Sequence, residues 1–282
     1  MDNVNDLFAT LSSCLWGWPM IVLLLGTHVF LTIRLRFPQR KLFTAIRLSV
    51  QRDKSQKGDV SQFGALATAL AATIGTGNII GVATAVALGG PGAVFWCWLT
   101  GVFGISTKYS EALLAIKYRV KSESGRMQGG PMYTLERGLG WRKMGILFAV
   151  FTAIAAFGIG CTVQANAIST IMHASYGIST EVCGGVLMLL AAAVIIGGVK
   201  SISRVCSMLV PFMALLYVLG CIYILYANGS YVAPALKLII SSAFSPEAAG
   251  GGFAGGSVIM AARYGIARGL FSNESGLGSA PI

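Results

Sequence analysis

The sequence predicts an all-α membrane protein arranged as an inverted repeat. Of its 282 residues, 55% are hydrophobic and 11% are charged, whereas a soluble domain has about 25% charged residues. The apolar runs are too long to be strands of a membrane barrel, so helices are expected. Two runs are interrupted by glycines and small polar residues, and five spans, counted from the first interrupted run, precede the second.

The positively charged residues of the chain lie mainly in the loops between its apolar runs. The formal net charge is +11, which could indicate nucleic-acid binding. The lysines and arginines, however, lie in short segments between apolar runs, where they fix membrane orientation. We therefore predict a lipid bilayer, and no nucleic acid, as a partner. The six cysteines lack C-x-x-C spacing and the two histidines are far apart, so we predict no metal site, no cofactor and no catalytic residues.

The first predicted span covers residues 15–33. It follows an acidic segment, 1–14, and precedes a strongly basic loop, 34–60. The positive-inside rule places the basic loop in the cytoplasm and the N-terminus outside. Apolar residues recur at helical spacing over 39–50 and predict a short amphipathic helix on the inner membrane surface. A plain solvated linker is the alternative interpretation of this stretch.

The first interrupted run covers residues 67–87, with Gly75-Thr76-Gly77-Asn78 at its centre. It is as long as the about 20 residues that a spanning helix needs. Glycine loosens a helix, and threonine and asparagine side chains compete for its hydrogen bonds. Because lipid cannot satisfy free backbone groups, such a break must face protein or a wet cavity. It indicates a place where a solute or ion supplies the missing partners; helix packing through Gly77 and Gly81 is the alternative.

Four further spans complete a five-helix first repeat, 61–227. The sequence predicts them at 93–117, 145–172, 182–199 and 205–226. On the second of the four, Gln164 and Asn166 do not share a helix face, so at most one points into a common cavity. Hydrogen bonding between helices is the other interpretation of each. Lys108 and Glu111, one turn apart, are expected to form a structural ion pair.

The second interrupted run, 250–282, begins after a predicted external loop, 228–249. Since five is odd, it enters the membrane from the opposite face, which makes an inverted-topology repeat. Broken segments in corresponding positions of two halves point to a transporter's binding site. Because the run stops inside its first span, we expect an N-terminal fragment whose second repeat is truncated at Ile282.

The ends of broken helices favour a particular ligand chemistry. N-terminal ends offer N–H groups and partial positive charge to a carboxylate, and C-terminal ends offer carbonyl oxygens to Na⁺ or an ammonium group. An amino acid zwitterion needs both, and glycines let it approach the backbone closely. Glu274, an ionisable residue in a presumed span, is a functional candidate. Pairing with Arg263 or Arg268, which would hold the broken helix in shape, is the alternative.

Four motifs of the sequence are GTGNI (75–79), GGPGAVFWCW (89–98), GGPMY (129–133) and GLFSNESG (269–276). Together they resemble the alanine or glycine:cation symporter family, the sodium:alanine symporters, with Cys97 where methionine is expected. The resemblance implies the leucine-transporter type of fold in a bacterial inner membrane. It also implies that Na⁺ entry, as the coupling ion, drives uptake of alanine or glycine.

The resemblance further implies a site between the two broken segments. Ala72 and Gly75 would offer backbone carbonyls to the ion. The residues that would contact the substrate are Thr76, Gly77, Asn78, Gln164, Phe271, Ser272, Asn273 and Gly276, with Phe271 limiting the size of its side chain. An ion channel, a proton-coupled amino acid carrier and a membrane scaffold are the alternative functions.

Overall fold

The computed structural model describes residues 6–7, 10–11, 14–51, 59–123, 125–158, 161–244 and 258–279, with the backbone alone at Thr76 and Gly77. Most of the predicted external N-terminus and part of the basic loop lie outside these ranges. The end of the predicted external loop, the first residues of the second interrupted run and residues 280–282 lie outside them too.

Helices make up nearly all of the described chain. A 3₁₀ turn, Pro38–Lys41, precedes the second helix, and a short antiparallel pair, β1 (Val120–Lys121) and β2 (Met127–Gln128), follows the fifth. In chain order the helices are α1 (Trp18–Arg34), α2 (Leu42–Val50), α3 (Gln62–Thr73), α4 (Thr76–Gly89), α5 (Gly92–Lys117), α6 (Pro131–Leu139), α7 (Arg142–Gly158), α8 (Thr162–Tyr176), α9 (Thr180–Ile195), α10 (Gly198–Ala227), α11 (Gly229–Phe244) and α12 (Val258–Asn273).

Several helical stretches suit a membrane. Among the described residues, Gln62–Gly89, Arg142–Tyr176 and Gly198–Ala227 are each long and apolar enough to cross one, and α1 with α2 makes a fourth if that bent pair is one span. The chain is therefore a helical, multi-pass membrane protein, as predicted. The helix α5 carries Lys108, Glu111 and Lys117 and is not among these stretches, so its assignment as a span stays a prediction, as does the inverted repeat.

A sharp bend separates α1 from α2. The chain turns by 63° between them, at Arg36 and Phe37, whose φ angles are 58° and 60°. The helix predicted over 39–50 is confirmed as α2 with the preceding 3₁₀ turn. Its apolar side chains are exposed, Phe43 by 84%. Its place on a membrane surface stays a prediction.

Most described helices coincide with predicted elements. The span predicted over 145–172 lies within Arg142–Tyr176, which is long and apolar enough to cross a membrane. Within this stretch Cys161 lies in a turn immediately before α8. Residues 229–244, predicted as part of an external loop, form α11. Lys237 is the only charged residue in this helix, which is shorter than the about 20 residues of a full span.

Serine caps begin two helices. The Ser61 hydroxyl accepts a hydrogen bond from the Gly64 amide at 3.1 Å and starts α3. At the start of α9, hydrogen bonds from the backbone amide of Glu181 and from the side chains of Ser179 and Thr180 lower the pKa of the Glu181 carboxyl. A carboxylate in the first turn also favours the positive end of the helix dipole.

The chain divides into two compact units, and the first comprises Met1–Arg40, Ile80–Ser110 and Ile224–Leu277. In this unit α12 packs against both α1 and α11. The side chains that α1 buries recur at helical spacing, so one face of α1 is turned inward. The core joins α1 to α12 through Ile21, Leu24, Ala262, Ile266 and Leu270, with Leu25 and Trp96 packed against them.

Within the first unit, α12 approaches α5 through glycine. A side chain added at Gly269 would overlap Thr100, and one added at Gly265 would overlap the backbone carbonyl of Ala93. The start of α5 is as close to α11, because a side chain at Gly92 would overlap the Ser242 backbone. Small residues permit such close contacts between membrane helices.

The second unit comprises Lys41–Ile79, Glu111–Tyr223 and Gly278–Ile282. Here α2 packs on α3, α6 packs on α7, and α8 packs on both α7 and α9. The Asp59 carboxylate accepts a hydrogen bond from the Met127 amide at 3.0 Å and so holds the strand pair. Large apolar side chains are exposed along α9 and α10, as expected of helices that face lipid.

Candidate functional site

The first predicted break lies between α3 and α4. The helix α3 ends at Thr73 and α4 begins at Thr76, which leaves Ile74 and Gly75 outside regular helix. The interruption predicted at Gly75 is therefore confirmed. The expectation that 75–78 is interrupted throughout is wrong for its last three residues, because Thr76, Gly77 and Asn78 form the first turn of α4.

Asn78 explains why this break is short. Its backbone amide donates to the Gly75 carbonyl at 3.0 Å, and its side-chain amide donates to the carbonyl of Thr73. The last carbonyls of a helix lack partners within that helix. An asparagine side chain that supplies one of them allows the helix to resume after two residues.

Gln164 of α8 lies beside the same break. A Cβ atom added at Gly75 would be 3.3 Å from the Gln164 side-chain nitrogen. Gln164 is half-buried, whereas Asn166, two residues further along α8, is exposed. This agrees with the expectation that no more than one of the two amides points inward. The glycine leaves the space that the glutamine side chain occupies.

The other candidate residues of the first break differ in what they can offer. Ala72 lies in the last turn of α3 and is exposed. The Gly75 carbonyl accepts one hydrogen bond from Asn78 and retains a second lone pair for another ligand. Thr76 and Gly77 open α4, and the first N–H groups of a helix have no acceptor within it. The carbonyl groups that end α3 and the N–H groups that begin α4 are therefore only a few residues apart in the chain.

The second predicted break begins where α12 ends. The helix continues to Asn273, and the next residue, Glu274, has a φ of 50°. Gly276 follows with a φ of 84°, a region that glycine adopts readily and other residues avoid. The structure therefore shows a helix end at Asn273, and the described residues 274–279 lie outside helix. Ser272 and Asn273, expected to be interrupted as well, instead form the last turn of α12 because their backbone is helical.

The partner of Glu274 is Lys108 of α5. The Lys108 ammonium lies 3.8 Å from the Glu274 carboxylate, and the two side chains are 29% and 23% exposed. The same ammonium donates to the Asn273 carbonyl at 3.5 Å. A cation at the last carbonyls of a helix is a favourable arrangement. Sequence reasoning had offered Arg263 or Arg268 as partners of Glu274, and had not predicted this pair.

Arg268 has a different neighbour. Its guanidinium lies 5.5 Å from the centre of the Phe271 ring and donates to the Thr84 hydroxyl at 3.4 Å. A Cβ atom added at Gly81 would overlap the guanidinium. The absence of a side chain at Gly81 therefore makes room for Arg268, so this glycine has a packing role.

Glycines of α5 admit the residues at the end of α12. A Cβ atom added at Gly101 would be 3.7 Å from the side-chain nitrogen of Asn273, and one at Gly104 would be 3.1 Å from the Ser275 hydroxyl oxygen. Ser275 is 2% exposed. Sequence reasoning did not single out Gly101, Gly104 or Lys108. Their signal was a spacing of three between glycines, followed by a lysine, within an apolar run.

The structure thus gathers the candidate residues into two groups, each within its own unit. The first group surrounds the break between α3 and α4 in the second unit, and the other surrounds the end of α12 in the first unit. Among the described residues there is no cluster of three or more His, Cys, Asp and Glu side chains that could hold a metal ion. The chemistry offered is that of amides, helix ends and one ion pair.

These features define the class of protein, a multi-pass helical membrane protein whose helices are interrupted beside polar side chains. The chain belongs to the sodium:alanine symporter family, whose model matches residues 1–282. This is a family of transporters, and the resemblance drawn from the four motifs is confirmed.

Curated relatives match nearly all of this chain. It is 52% identical to an uncharacterized transporter of Haemophilus influenzae, over 99% of this chain and 62% of that protein. It is 51% identical to the sodium/alanine symporter AgcS of Methanococcus maripaludis, over 100% of this chain and 63% of that protein. A probable sodium/glutamine symporter, GlnT of Bacillus subtilis, is 38% identical over 95% of this chain. The chain spans about three fifths of the length of these relatives.

Proposed function

We propose that the protein containing this chain is a secondary active transporter that couples Na⁺ entry to the uptake of alanine or glycine. The observation that carries the proposal is the break at Ile74 and Gly75, where two helix ends and the Gln164 amide come together. Discontinuous helices of this kind form the substrate and ion sites of several transporter folds. The name of the AgcS relative supports Na⁺ and alanine.

At the first break, the substrate and the ion would use opposite helix ends. The N–H groups that open α4, at Thr76 and Gly77, suit the substrate carboxylate. The carbonyl end of α3, at Ala72 and Gly75, suits Na⁺. The side chains of Asn78 and Gln164 would orient the substrate by hydrogen bonds.

The residues near the end of α12 are proposed to contact the same substrate. Ser272, Asn273 and Gly276 would supply polar and close backbone contacts, and the Phe271 ring would limit the size of the substrate side chain. The Arg268 guanidinium lies 5.5 Å from the centre of that ring. A small side-chain limit favours alanine and glycine over glutamine, the substrate for which the 38%-identical relative GlnT is named.

The overall arrangement proposed is a leucine-transporter-type inverted repeat in a bacterial inner membrane, with the N-terminus outside. The first repeat would run over 61–227, and the second would begin in the run 250–282. The interruptions at Gly75 and Glu274 support this, because each falls in the segment that would open a repeat.

The coupling is energetically adequate. One positive charge that moves inward through 100 mV releases about 2.3 kcal/mol. A tenfold concentration ratio corresponds to about 1.4 kcal/mol. One Na⁺ per substrate would therefore concentrate alanine more than tenfold before any Na⁺ gradient is counted.

The test is uptake by the full-length protein in proteoliposomes. We expect saturable uptake of labelled alanine that requires an inward Na⁺ gradient, is stimulated by a negative interior potential, and is inhibited by glycine but not by glutamine. Uptake driven by a pH gradient in Na⁺-free buffer would overturn Na⁺ coupling. Unitary currents without saturable uptake would identify a channel, and preference for glutamine would overturn the substrate assignment.

A further inference from the structure

The helix α1 precedes the proposed repeat, yet its residue His28 lies close to Gly276, in the segment 274–276 that follows α12. His28 is completely buried. Its Nδ1 atom is 2.7 Å from the hydroxyl oxygen of Thr107 in α5, and Thr107 is 4% exposed. Among the described residues, the Nε2 atom of His28 has no hydrogen-bond partner. The bond to Thr107 is therefore the polar link that the structure shows for this imidazole.

The second break rests on this pair. A Cβ atom added at Gly276 would be 3.2 Å from a methyl carbon of Leu24, 3.6 Å from Cε1 of His28 and 3.8 Å from the methyl carbon of Thr107. The imidazole, the threonine methyl and the leucine thus form the surface on which the Gly276 backbone lies. An imidazole that rotated or moved would remove part of that surface.

The segment needs such support. Glu274 and Gly276 both have positive φ angles, 50° and 84°, and a residue other than glycine holds this conformation only when its surroundings impose it. Lys108 holds Glu274 from one side. Ser275, between them, is buried against the position of Gly104. His28 and Thr107 supply the support at the third residue of the break.

A second set of hydrogen bonds fixes α1 against α5 one turn away. The hydroxyls of Thr32 and Ser106 are 2.8 Å apart. The Gln39 side-chain nitrogen donates to both, at 3.3 and 3.0 Å. These contacts tie α1 to α5 beside the hydrogen bond between His28 and Thr107.

We propose that His28 is a positioning residue of the substrate site, which acts through Thr107 and Gly276 to hold the break at 274–276 in its bound geometry. The helix α1 then contributes to substrate affinity although it lies outside the repeat. This inference rests on the proposed function, since it assumes that the residues at the end of α12 contact the substrate.

The experiment compares three single variants at His28 and Thr107, one double variant and one control variant of the full-length protein. His28→Leu and Thr107→Val remove the hydrogen bond with little change of volume, and His28→Asn keeps a polar atom near the position of Nδ1. His173→Leu is the matched control, because His173 is exposed and its Nδ1 atom is 3.2 Å from a backbone oxygen. Uptake gives KM and Vmax per folded transporter, and hydrogen exchange reports on peptides that cover 274–277.

We expect His28→Leu and Thr107→Val each to raise KM for alanine by about fivefold to tenfold, the effect of one lost hydrogen bond, with Vmax near wild type. The double variant should resemble the single ones, because both remove the same contact. His28→Asn should lie closer to wild type, and His173→Leu should equal it. Exchange at 274–277 should be faster in the two disrupting variants.

The inference is overturned if the variants leave exchange at 274–277 unchanged, or if they lose folded protein with KM unchanged. If the wild-type protein transports no alanine but exchange at 274–277 accelerates as expected, the proposed function fails while the positioning of the break by His28 stands. Additive effects of His28→Leu and Thr107→Val on KM would show that the two residues act separately and would also overturn it.

Discussion

Asn78 and Gln164 show what single residues do at the first break. The Asn78 side-chain amide donates a hydrogen bond to the Thr73 carbonyl in the last turn of α3. The Gln164 side chain occupies the space beside Gly75. The residue types that interrupt a helix could be predicted from the sequence. The length of the interruption could not, because it depends on which carbonyl the asparagine side chain reaches.

The ion pair of Lys108 and Glu274 likewise could not be predicted from the sequence. Helical spacing predicted a partner for Lys108 on its own helix, at Glu111. The structure shows in addition that the Lys108 ammonium lies 3.8 Å from the Glu274 carboxylate of another segment, while the pair with Glu111 stays a prediction. Spacing along one helix predicts neighbours on that helix only, whereas a pair between helices follows from packing that the sequence does not display.

Removing one member of this pair should destabilise the protein more than removing both. Lys108→Met leaves a carboxylate without its cation, and Glu274→Gln leaves an ammonium without its anion, in a setting where each is mostly shielded. We expect each single variant to lose about 1–2 kcal/mol of stability and the double variant to lose less. Unfolding of the full-length protein in detergent measures these losses.

The control is the exposed ion pair of Arg142 and Glu136. Its atoms are 3.7 Å apart and its side chains are 78% and 45% exposed. Arg142→Met should therefore change stability by less than about 0.5 kcal/mol. Equal losses at the two pairs, or a double variant at Lys108 and Glu274 with fully additive losses, would contradict a coupled pair.

At the scale of elements, α12 is the helix on which the first unit is built. It meets α1 through apolar side chains and α5 through glycines. The sequence predicted a glycine-rich helix here. It could not predict which glycines face a neighbour, because glycine contributes nothing to a hydrophobic pattern and small residues occur on every face of such a helix.

A methyl group at position 269 should disrupt the packing of α12 against α5 and destabilise the protein. Gly269→Ala would overlap Thr100, and we expect a loss of about 1–3 kcal/mol from overpacking. Gly220→Ala in α10 is the matched control, because nothing lies within 4 Å of the position its Cβ would take. That substitution should leave stability unchanged or raise it by up to about 1 kcal/mol. Thermal unfolding of both variants checks this, and a smaller loss at Gly269 than at Gly220 would contradict the packing.

Most helices could be predicted from the sequence, but not every helix between the predicted spans. Long apolar runs mark helices reliably, since a chain in lipid must satisfy its backbone internally. The helix α11 was not predicted. Its segment is apolar but short, and hydropathy does not distinguish a short apolar helix from a loop.

At the scale of the whole molecule, the motifs, the apolar helices and the family agree. The family follows from a match over residues 1–282. The helix ends at Gly75 and Glu274 offer groups that could bind a transported solute. Each break combines a helix end with a polar side chain, which is the chemistry that a small zwitterion and a monovalent cation require. We propose that residues at both places contact one amino acid substrate.

Equilibrium binding of labelled alanine to the full-length protein, with and without Na⁺, tests that claim most directly. Asn78→Ala and Asn273→Ala alter one break each, and the exposed amides of Asn166 and Asn228 provide control substitutions. We expect Na⁺-dependent binding that each of the first two variants weakens about tenfold, as expected for a lost hydrogen bond, while both controls bind as the wild type does. Unchanged affinity in Asn78→Ala and Asn273→Ala would contradict it and would leave the glycine-rich breaks with a packing role alone.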